Sequence, residues 1–245
     1  MRESFRTLRG VLRSLRIYYG DRSRRAAMDA LYARFVTPDD LVFDIGAHVG
    51  DRVAAFRRLG ARVVAVEPQP ALVRTLRLLY GRDADVTITA TALGRSEGTV
   101  ELRLNVDNPT VSTASAAFVQ AADGAPGWEG QAWTRAIAVP VTTLDALIAR
   151  HGTPAFVKID VEGFEAEVLD GLTQPVPALS FEFTTIQRDV AQACLARCRA
   201  LGYLRYNAAL GESQELGDWR DAAGIAHWLD ALPQEANSGD IYATL

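Results

Sequence analysis

Two short stretches and one isolated acid carry most of the side chains in this 245-residue chain that could do chemistry. The first stretch is Phe43-Asp44-Ile45-Gly46-Ala47-His48-Val49-Gly50, with an acid two positions before one glycine and a second glycine four positions after it. The second is Val157-Lys158-Ile159-Asp160-Val161-Glu162-Gly163-Phe164-Glu165, which holds the only lysine of a chain with twenty-five arginines. The acid is Glu67, which ends a β-branched run just before Pro68. A glycine turn at Gly46 lets the backbone approach a bound molecule, and free amides at the start of the following helix favour an anionic group such as a carboxylate. Glu67 can accept two hydrogen bonds from a ribose diol. Asp160, Glu162 and His48 are side chains that can each serve as a general base. Lys158, inside an apolar run, needs a carboxylate or several acceptors. It could tune Asp160, bind a substrate oxygen, or form a structural ion pair with Glu182 as partner.

The loop favours S-adenosylmethionine over a dinucleotide. A pyrophosphate-binding loop wants G-x-G-x-x-G, and from Gly46 the second and third glycine positions are taken by His48 and Asp51. A side chain at the second position holds the backbone off a pyrophosphate. S-adenosylmethionine carries an ammonium, a carboxylate and a sulfonium and no phosphate, so an acid beside a glycine turn suits its amino-acid end. The plain alternative is that Asp44 only caps the turn and nothing binds. Glu67 argues for an adenosine ribose without choosing between cofactor classes. Two rival functions stay open: an NAD-dependent oxidoreductase, opposed by His48 and the lack of an evident Tyr-x-x-x-Lys, and a non-catalytic adaptor that binds through its N-terminal helix.

The elements that must position these residues follow from periodicity. Leu41 to Ile45, interrupted only by Asp44, is long enough for one strand buried on both faces and too short for a helix. Val53, Ala54 and Leu59 then recur at helical spacing and Gly60 stops the helix. Ala61 to Glu67 is a second strand. Pro70 to Tyr80 is a helix with Leu72, Val73, Leu76, Leu79 and Tyr80 inward. Val86 to Leu93 is a third strand, and an adenine ring would lie at its end by Ala92 and Leu93. Gly98 to Leu104 alternates as a solvated antiparallel strand appended to the parallel core. Residues 105–136, rich in Ala, Ser, Gly and Pro, form a substrate lid or a loose insertion. Ile137 to Val141 is a strand, and Thr143 opens a helix through Arg150. Phe156 to Ile159 and Ala178 to Thr184 are buried strands, which places Asp160 and Glu162 on the same sheet edge as Gly46 and Glu67. A helix from Gln187 to Leu201, a strand from Tyr203 to Asn207, a helix around Ala222 to Leu232 and a strand from Asp240 complete the chain. The pattern is that of an α/β fold, a doubly wound, mostly parallel seven-stranded sheet with an antiparallel last strand and an N-terminal helical appendage.

Composition sets the limits. With 49% apolar residues the chain can bury a full core, and residues 39–245 form one domain behind a basic segment, residues 1–38. Net charge is −4, which excludes a general nucleic-acid character. Residues 1–36 nevertheless hold nine arginines against three acids. Phe5, Leu8, Leu12, Leu15 and Tyr19 mark one face of a helix there, and Met28 to Val36 a second helix. The basic helix is either a peripheral membrane contact or a packed helix with solvated arginines. Cys194 and Cys198 lie four apart with no histidine nearby and read as small residues in a reducing compartment, with no zinc site. No run reaches membrane-spanning length and the N-terminus lacks a signal peptide's apolar core, so a cytoplasmic protein is expected.

The two stretches, with Val66-Glu67-Pro68, Ala92-Leu93-Gly94 and Thr143-Leu144-Asp145, resemble the FkbM-type family of S-adenosylmethionine-dependent methyltransferases, a Rossmann-like class. The resemblance covers residues 41 to about 184 and fades over the N-terminus and beyond residue 207. It implies O-methylation of a hydroxyl on a sugar, glycan or secondary metabolite. It also implies that Asp44, Gly46, Ala47, His48 and Gly50 hold the methionine part of the cofactor, that Glu67 and Pro68 hold the ribose, and that Ala92 and Leu93 lie by the adenine. Asp160 and Glu162 would face the methyl group. His48 stands where many relatives carry asparagine. Methyl transfer is then an in-line displacement in which the protein mainly holds the acceptor oxygen at reacting distance. Metal-free general-base chemistry is favoured over Mg²⁺ held by Asp160, Glu162 and Glu182, because no clear ligand spacing is present.

Overall fold

The computed structural model describes residues 2–245, the side chains of residues 2–5 excepted, so Phe5 of the expected apolar face lies outside the described residues. The chain runs α1 (Arg2–Gly20), α2 (Arg22–Tyr32), β1 (Leu41–Ile45), α3 (Asp51–Arg58), β2 (Arg62–Val66), α4 (Pro70–Tyr80), β3 (Val86–Thr89) and β4 (Ala92–Leu93). It continues through β5 (Gly98–Leu104), α5 (Ala116–Ala122), β6 (Arg135–Thr142), α6 (Leu144–His151), β7 (Phe156–Ile159), α7 (Glu165–Asp170) and β8 (Ala178–Thr184). The last elements are α8 (Arg188–Ala200), β9 (Arg205–Leu210), α9 (Ala222–Ala231) and β10 (Ser238–Thr244).

Seven strands form the main sheet in the order β3-β2-β1-β7-β8-β10-β9, and only β10 runs against its neighbours. This is the doubly wound sheet expected. Alternation along β1 separates the two faces. Leu41, Phe43 and Ile45 enter one core with α6, α7, α8 and α9, while Val42 enters the other with α2 and α3. Chain order reverses between β1 and β7, so the carboxyl ends of those two strands open the crevice where an open α/β sheet binds its ligand.

The third strand departs from its expected run. Pairing to β2 stops at Thr89, and Ala92–Leu93 instead joins a separate three-stranded sheet in the order β4-β6-β5. β5 is antiparallel as expected, but it pairs with β6 rather than with the parallel core. A hydrophobic run cannot say which strand will accept its hydrogen bonds, and here the partner changes within eight residues. Residues 105–136 are folded: Phe118 and Trp128 meet edge to face at 5.0 Å, and the Trp133 indole donates to the Val111 carbonyl at 2.7 Å.

The N-terminal helices pack on the sheet domain. Tyr32 is wholly buried between Phe56 and Phe156, with ring centres at 4.5 and 5.7 Å. On α1 the inward face is Gly10, Val11 and Ser14 with Leu15, Tyr18 and Tyr19 alongside, and Leu8 and Leu12, placed on one apolar face with Leu15 and Tyr19 by their spacing, are exposed. The rotation follows from the smallness of Gly10. A Cβ there would come within 2.9 Å of Pro109, so this side of the helix is the one that can approach the 105–136 segment. On α4, Leu79 is likewise exposed although its spacing suits the core, because Leu72, Val73 and Leu76 already fill the contact. Among the described residues no helix is long and apolar enough to cross a membrane.

Candidate functional site

A cavity of about 250 Å³ opens at the β1/β7 crevice. Gly46, Ala47, His48, Glu67, Pro68, Ala92 and Leu93 line it, as do Asp160 and Glu162. Asp44, Gly50 and Lys158 do not: they stand behind the wall and act through it.

The first wall is the turn after β1. Gly46 and Gly50 take φ of 84° and 85°, and His48 between them also has a positive φ, 50°. Histidine and asparagine are among the few side chains enriched in that left-handed region. The backbone therefore accounts for a histidine at this position. A Cβ on Gly46 would overlap the backbone oxygen of Asp160, so glycine is what allows the ends of β1 and β7 to close together. The His48 amide donates to Glu67 Oε2 at 3.0 Å, and the Gln69 amide donates to Oε1 at 2.8 Å. Glu67 is thereby fixed by one bond to each oxygen. Two of its roughly four lone-pair positions stay free, the acceptor set that the two hydroxyls of a vicinal diol need. Burial pushes its pKa up to about 8, against the effect of those two amides.

Asp44 is fully inside the sheet, and neither of its carboxylate oxygens has a hydrogen-bond partner among the described residues. Burial raises its pKa to about 7, with Arg52 working against the shift and Asp51 adding to it. An unpaired acid directly under the glycine turn fits a cofactor bearing an ammonium group, and together with the free acceptor positions of Glu67 it makes the site suitable for S-adenosylmethionine. His48 is held neutral, its pKa lowered to about 4 by burial, and its Nε2 lies 3.4 Å from the Thr110 hydroxyl.

The opposite wall carries acids. Asp160, Glu162 and Glu182 each offer a carboxylate oxygen, and the three oxygens lie within 4.8 Å of one another, a spacing that one divalent cation could span. An ion pair with Glu182 was one of the alternatives open for Lys158, and the structure corrects it. Lys158 Nζ donates instead to Asp240 Oδ1 at 2.8 Å and Asp160 Oδ2 at 3.2 Å. The reason is register: Glu182 of β8 stands opposite Asp240 of β10, and it is Asp240 that reaches the ammonium. Burial tends to raise the Asp160 pKa, but Lys158 and Arg52 outweigh it and hold this carboxyl below its usual range. Glu162 and Glu182 feel Lys158 less than they feel burial and the Asp160 charge, which push both well above theirs. Asp160 is therefore the acid of the three that ionises first, and Glu162 and Glu182 hold their protons to higher pH. The turn itself is pinned by Glu165, whose Oε1 accepts from the Val161 amide at 3.0 Å and the Gly163 amide at 3.3 Å.

Several lining residues carried no local signal. Tyr18 of α1 joins the wall, its ring edge-on to His48 at 5.3 Å. Arg52 and Arg24 both bind Asp51 and Glu212, tying α2, α3 and the loop after β9 together beside the cavity. Asp51 stood out in sequence only as the residue in place of a third glycine, and nothing near Glu212 in sequence marks it. Thr110, Val111, Ser112 and Trp128 bring the 105–136 segment over the site, and the Thr113 hydroxyl donates to the Glu162 carbonyl at 2.6 Å.

Comparison with known proteins places this arrangement. The family model described as methyltransferase FkbM domain matches residues 44–221. No curated protein matches the chain in sequence. Among solved structures, a precorrin-6y C5,15-methyltransferase from Geobacter metallireducens superposes with a TM-score of 0.45 at 12% identity, over 89% of this chain and 86% of that one. A TehB-like SAM-dependent methyltransferase from Corynebacterium glutamicum gives 0.46 at 9% identity, over 89% and 86%. Fibrillarin from Aeropyrum pernix, solved with natively bound S-adenosyl-L-methionine, gives 0.42 at 10% identity, over 86% and 68%.

Proposed function

The chain belongs to the FkbM methyltransferase family and is an S-adenosylmethionine-dependent methyltransferase; from this premise we propose that its acceptor is a hydroxyl group of a sugar, glycan or secondary metabolite. The observation that carries the reading is the trio of carboxyl groups Asp160, Glu162 and Glu182 on the cavity wall facing the Glu67 side. When bound, S-adenosylmethionine supplies an electrophilic methyl group on a sulfonium.

The chain's own residues then do three things. Glu67 and the Gly46 turn orient the cofactor, with Asp44 behind them as the counter-charge. Asp160, kept ionised by Lys158, accepts the hydroxyl proton. A weak base suffices there, since an alcohol oxygen becomes strongly acidic as it forms its third bond, to the methyl carbon, and takes on oxonium character. Glu162 and Glu182, still protonated, donate hydrogen bonds to further oxygens of a polyhydroxylated acceptor, which suits a sugar better than an isolated alcohol. Trp128 and the 105–136 segment cover the cavity and exclude water.

Calorimetry with S-adenosylmethionine, S-adenosylhomocysteine and NAD⁺ comes first, on the wild-type chain and on Glu67→Ala. Binding of both sulfur ligands and not NAD⁺, lost in the variant, is the expected result. Radiolabelled methyl transfer to matched hydroxyl, amine and thiol acceptors follows. Transfer to amines alone would overturn the hydroxyl reading.

A further inference from the structure

The outward face of α1 remains without a role in this chemistry. Gly10, Val11 and Ser14 seat the helix on the domain, and the Tyr19 hydroxyl meets that of Tyr80 on α4 at 2.6 Å. The helix is therefore an anchored element rather than a loose tail. What it turns outward is unusual for a solvated face: Leu8, Leu12 and Ile17 are 55%, 56% and 51% exposed. Interleaved with them are Arg9, Arg13 and Arg16, all exposed, and residues 6–20 contain no acid. Arg6 and Arg9 lie against Asp107, whereas no ion pair among the described residues engages Arg13 or Arg16. On neighbouring α4, Leu78 is 86% exposed beside exposed Arg74 and Arg77.

We infer that α1 docks the protein on an anionic lipid bilayer, with Leu8 and Leu12, one turn apart on the same flank, entering the acyl boundary and Arg9, Arg13 and Arg16 beside them engaging headgroup phosphates. Two features select this occupant. A second copy of the same face would set arginine against arginine, and a nucleic acid would leave Leu8 and Leu12 facing a phosphate backbone with nothing to bury them. A bilayer surface satisfies both kinds of side chain at once, because an arginine can lay its aliphatic stem along the apolar boundary while its guanidinium stays among the headgroups. The geometry also ties docking to the active site. Arg16 is exposed on the side of the helix opposite Tyr18, which lines the cavity, so the bilayer would lie about one helix diameter, ~10 Å, from the cavity wall.

The test is vesicle flotation of the full chain with phosphatidylcholine alone and with phosphatidylcholine containing phosphatidylglycerol. Binding to the anionic vesicles only, reversed by salt as the charges are screened, is expected. Arg13→Gln with Arg16→Gln should weaken partitioning about 30-fold, at about fivefold per arginine near an anionic leaflet. Leu8→Ser with Leu12→Ser should weaken it at unchanged charge, and both pairs should bind S-adenosylhomocysteine like the wild type. Equal binding to both vesicle types, binding to neither, or variants that bind like the wild type would overturn the inference. A dimer abolished by the leucine pair in the absence of lipid would do so as well, by assigning the face to a second copy.

Discussion

Replacing Lys158 by methionine tests the electrostatic design of the site most directly. The ammonium is fully buried and its two carboxylate partners come from different elements, Asp160 of the turn after β7 at 3.2 Å and Asp240 of β10 at 2.8 Å. Methionine keeps the volume of the side chain and removes the charge, leaving both carboxylates without it. Breaking a buried pair by deleting one partner costs about 3–5 kcal/mol, and because Asp160 keeps a 24% exposed side chain the lower end is expected. The loss should depend on pH with a definite sign. In the wild type the Asp160 pKa lies below its unfolded value, so its stabilisation is present above about pH 4 and is lost as pH falls through the folded pKa. In Lys158→Met, burial is no longer opposed by the lysine and pushes this pKa up, so the variant loses stability as pH rises from about pH 4. Urea unfolding followed by tryptophan fluorescence at about pH 5 and about pH 8 should therefore show a larger deficit at the higher pH. Adding Asp240→Asn to the variant should recover part of it. A deficit below about 1 kcal/mol, within the range of a surface pair, or one of equal size at both pH values, would refute the assigned roles of Lys158 and burial.

The remaining predictions concern the cofactor side and the base. Glu67, raised to about 8 by burial, must give up its proton to accept both ribose hydroxyls, so S-adenosylhomocysteine affinity should rise by up to about tenfold per pH unit below pH 8 and level off above it. Calorimetry across that range checks this, and Glu67→Gln should bind weakly with no such slope. The same group makes the ligand-free chain lose stability as pH rises from about 4.3 through 8, since the folded state retains a proton that the unfolded chain releases. Gly46→Ala combines a left-handed φ with overlap on the Asp160 carbonyl and should cost at least about 1–3 kcal/mol of strain and abolish cofactor binding, whereas Gly20→Ala, with open space around it, should be harmless to both. Asp160→Asn should reduce turnover by about 10²–10⁴ while leaving cofactor affinity within a few fold. Activity measured after chelation should persist, because proton transfer to Asp160 needs no metal; loss on chelation with recovery on Mg²⁺ would convert the three-carboxyl cluster into a cation site.

Much of the active site could be read locally because its residues sit where strands end. The run Leu41–Ile45 followed by glycines specifies a strand and a tight turn whatever surrounds it, and the same holds for Phe156–Ile159 ahead of Asp160. Once two such strands lie side by side, their loops must meet at one edge, which is why Gly46, Glu67 and Asp160 were recognisable before any contact was known. Lys158 announced itself as a charge in an apolar strand, but its chief partner lies 82 residues away on β10 and is reached only through antiparallel register. Glu212 and Tyr18 reach the cavity from elements whose sequences say nothing about it.

The division has one physical origin. Periodicity and turn chemistry are properties of neighbouring residues, so the chain by itself determined its elements, the doubly wound order and the acids and glycines at the strand ends. Packing is a property of surfaces brought together from far apart. It alone decided that β3 gives way to β4 in a second sheet, that Asp240 and not Glu182 neutralises Lys158, and that α1 turns Leu8 and Leu12 outward. Each of these rested on a competition between comparable local options, settled by a contact that no stretch of sequence contains.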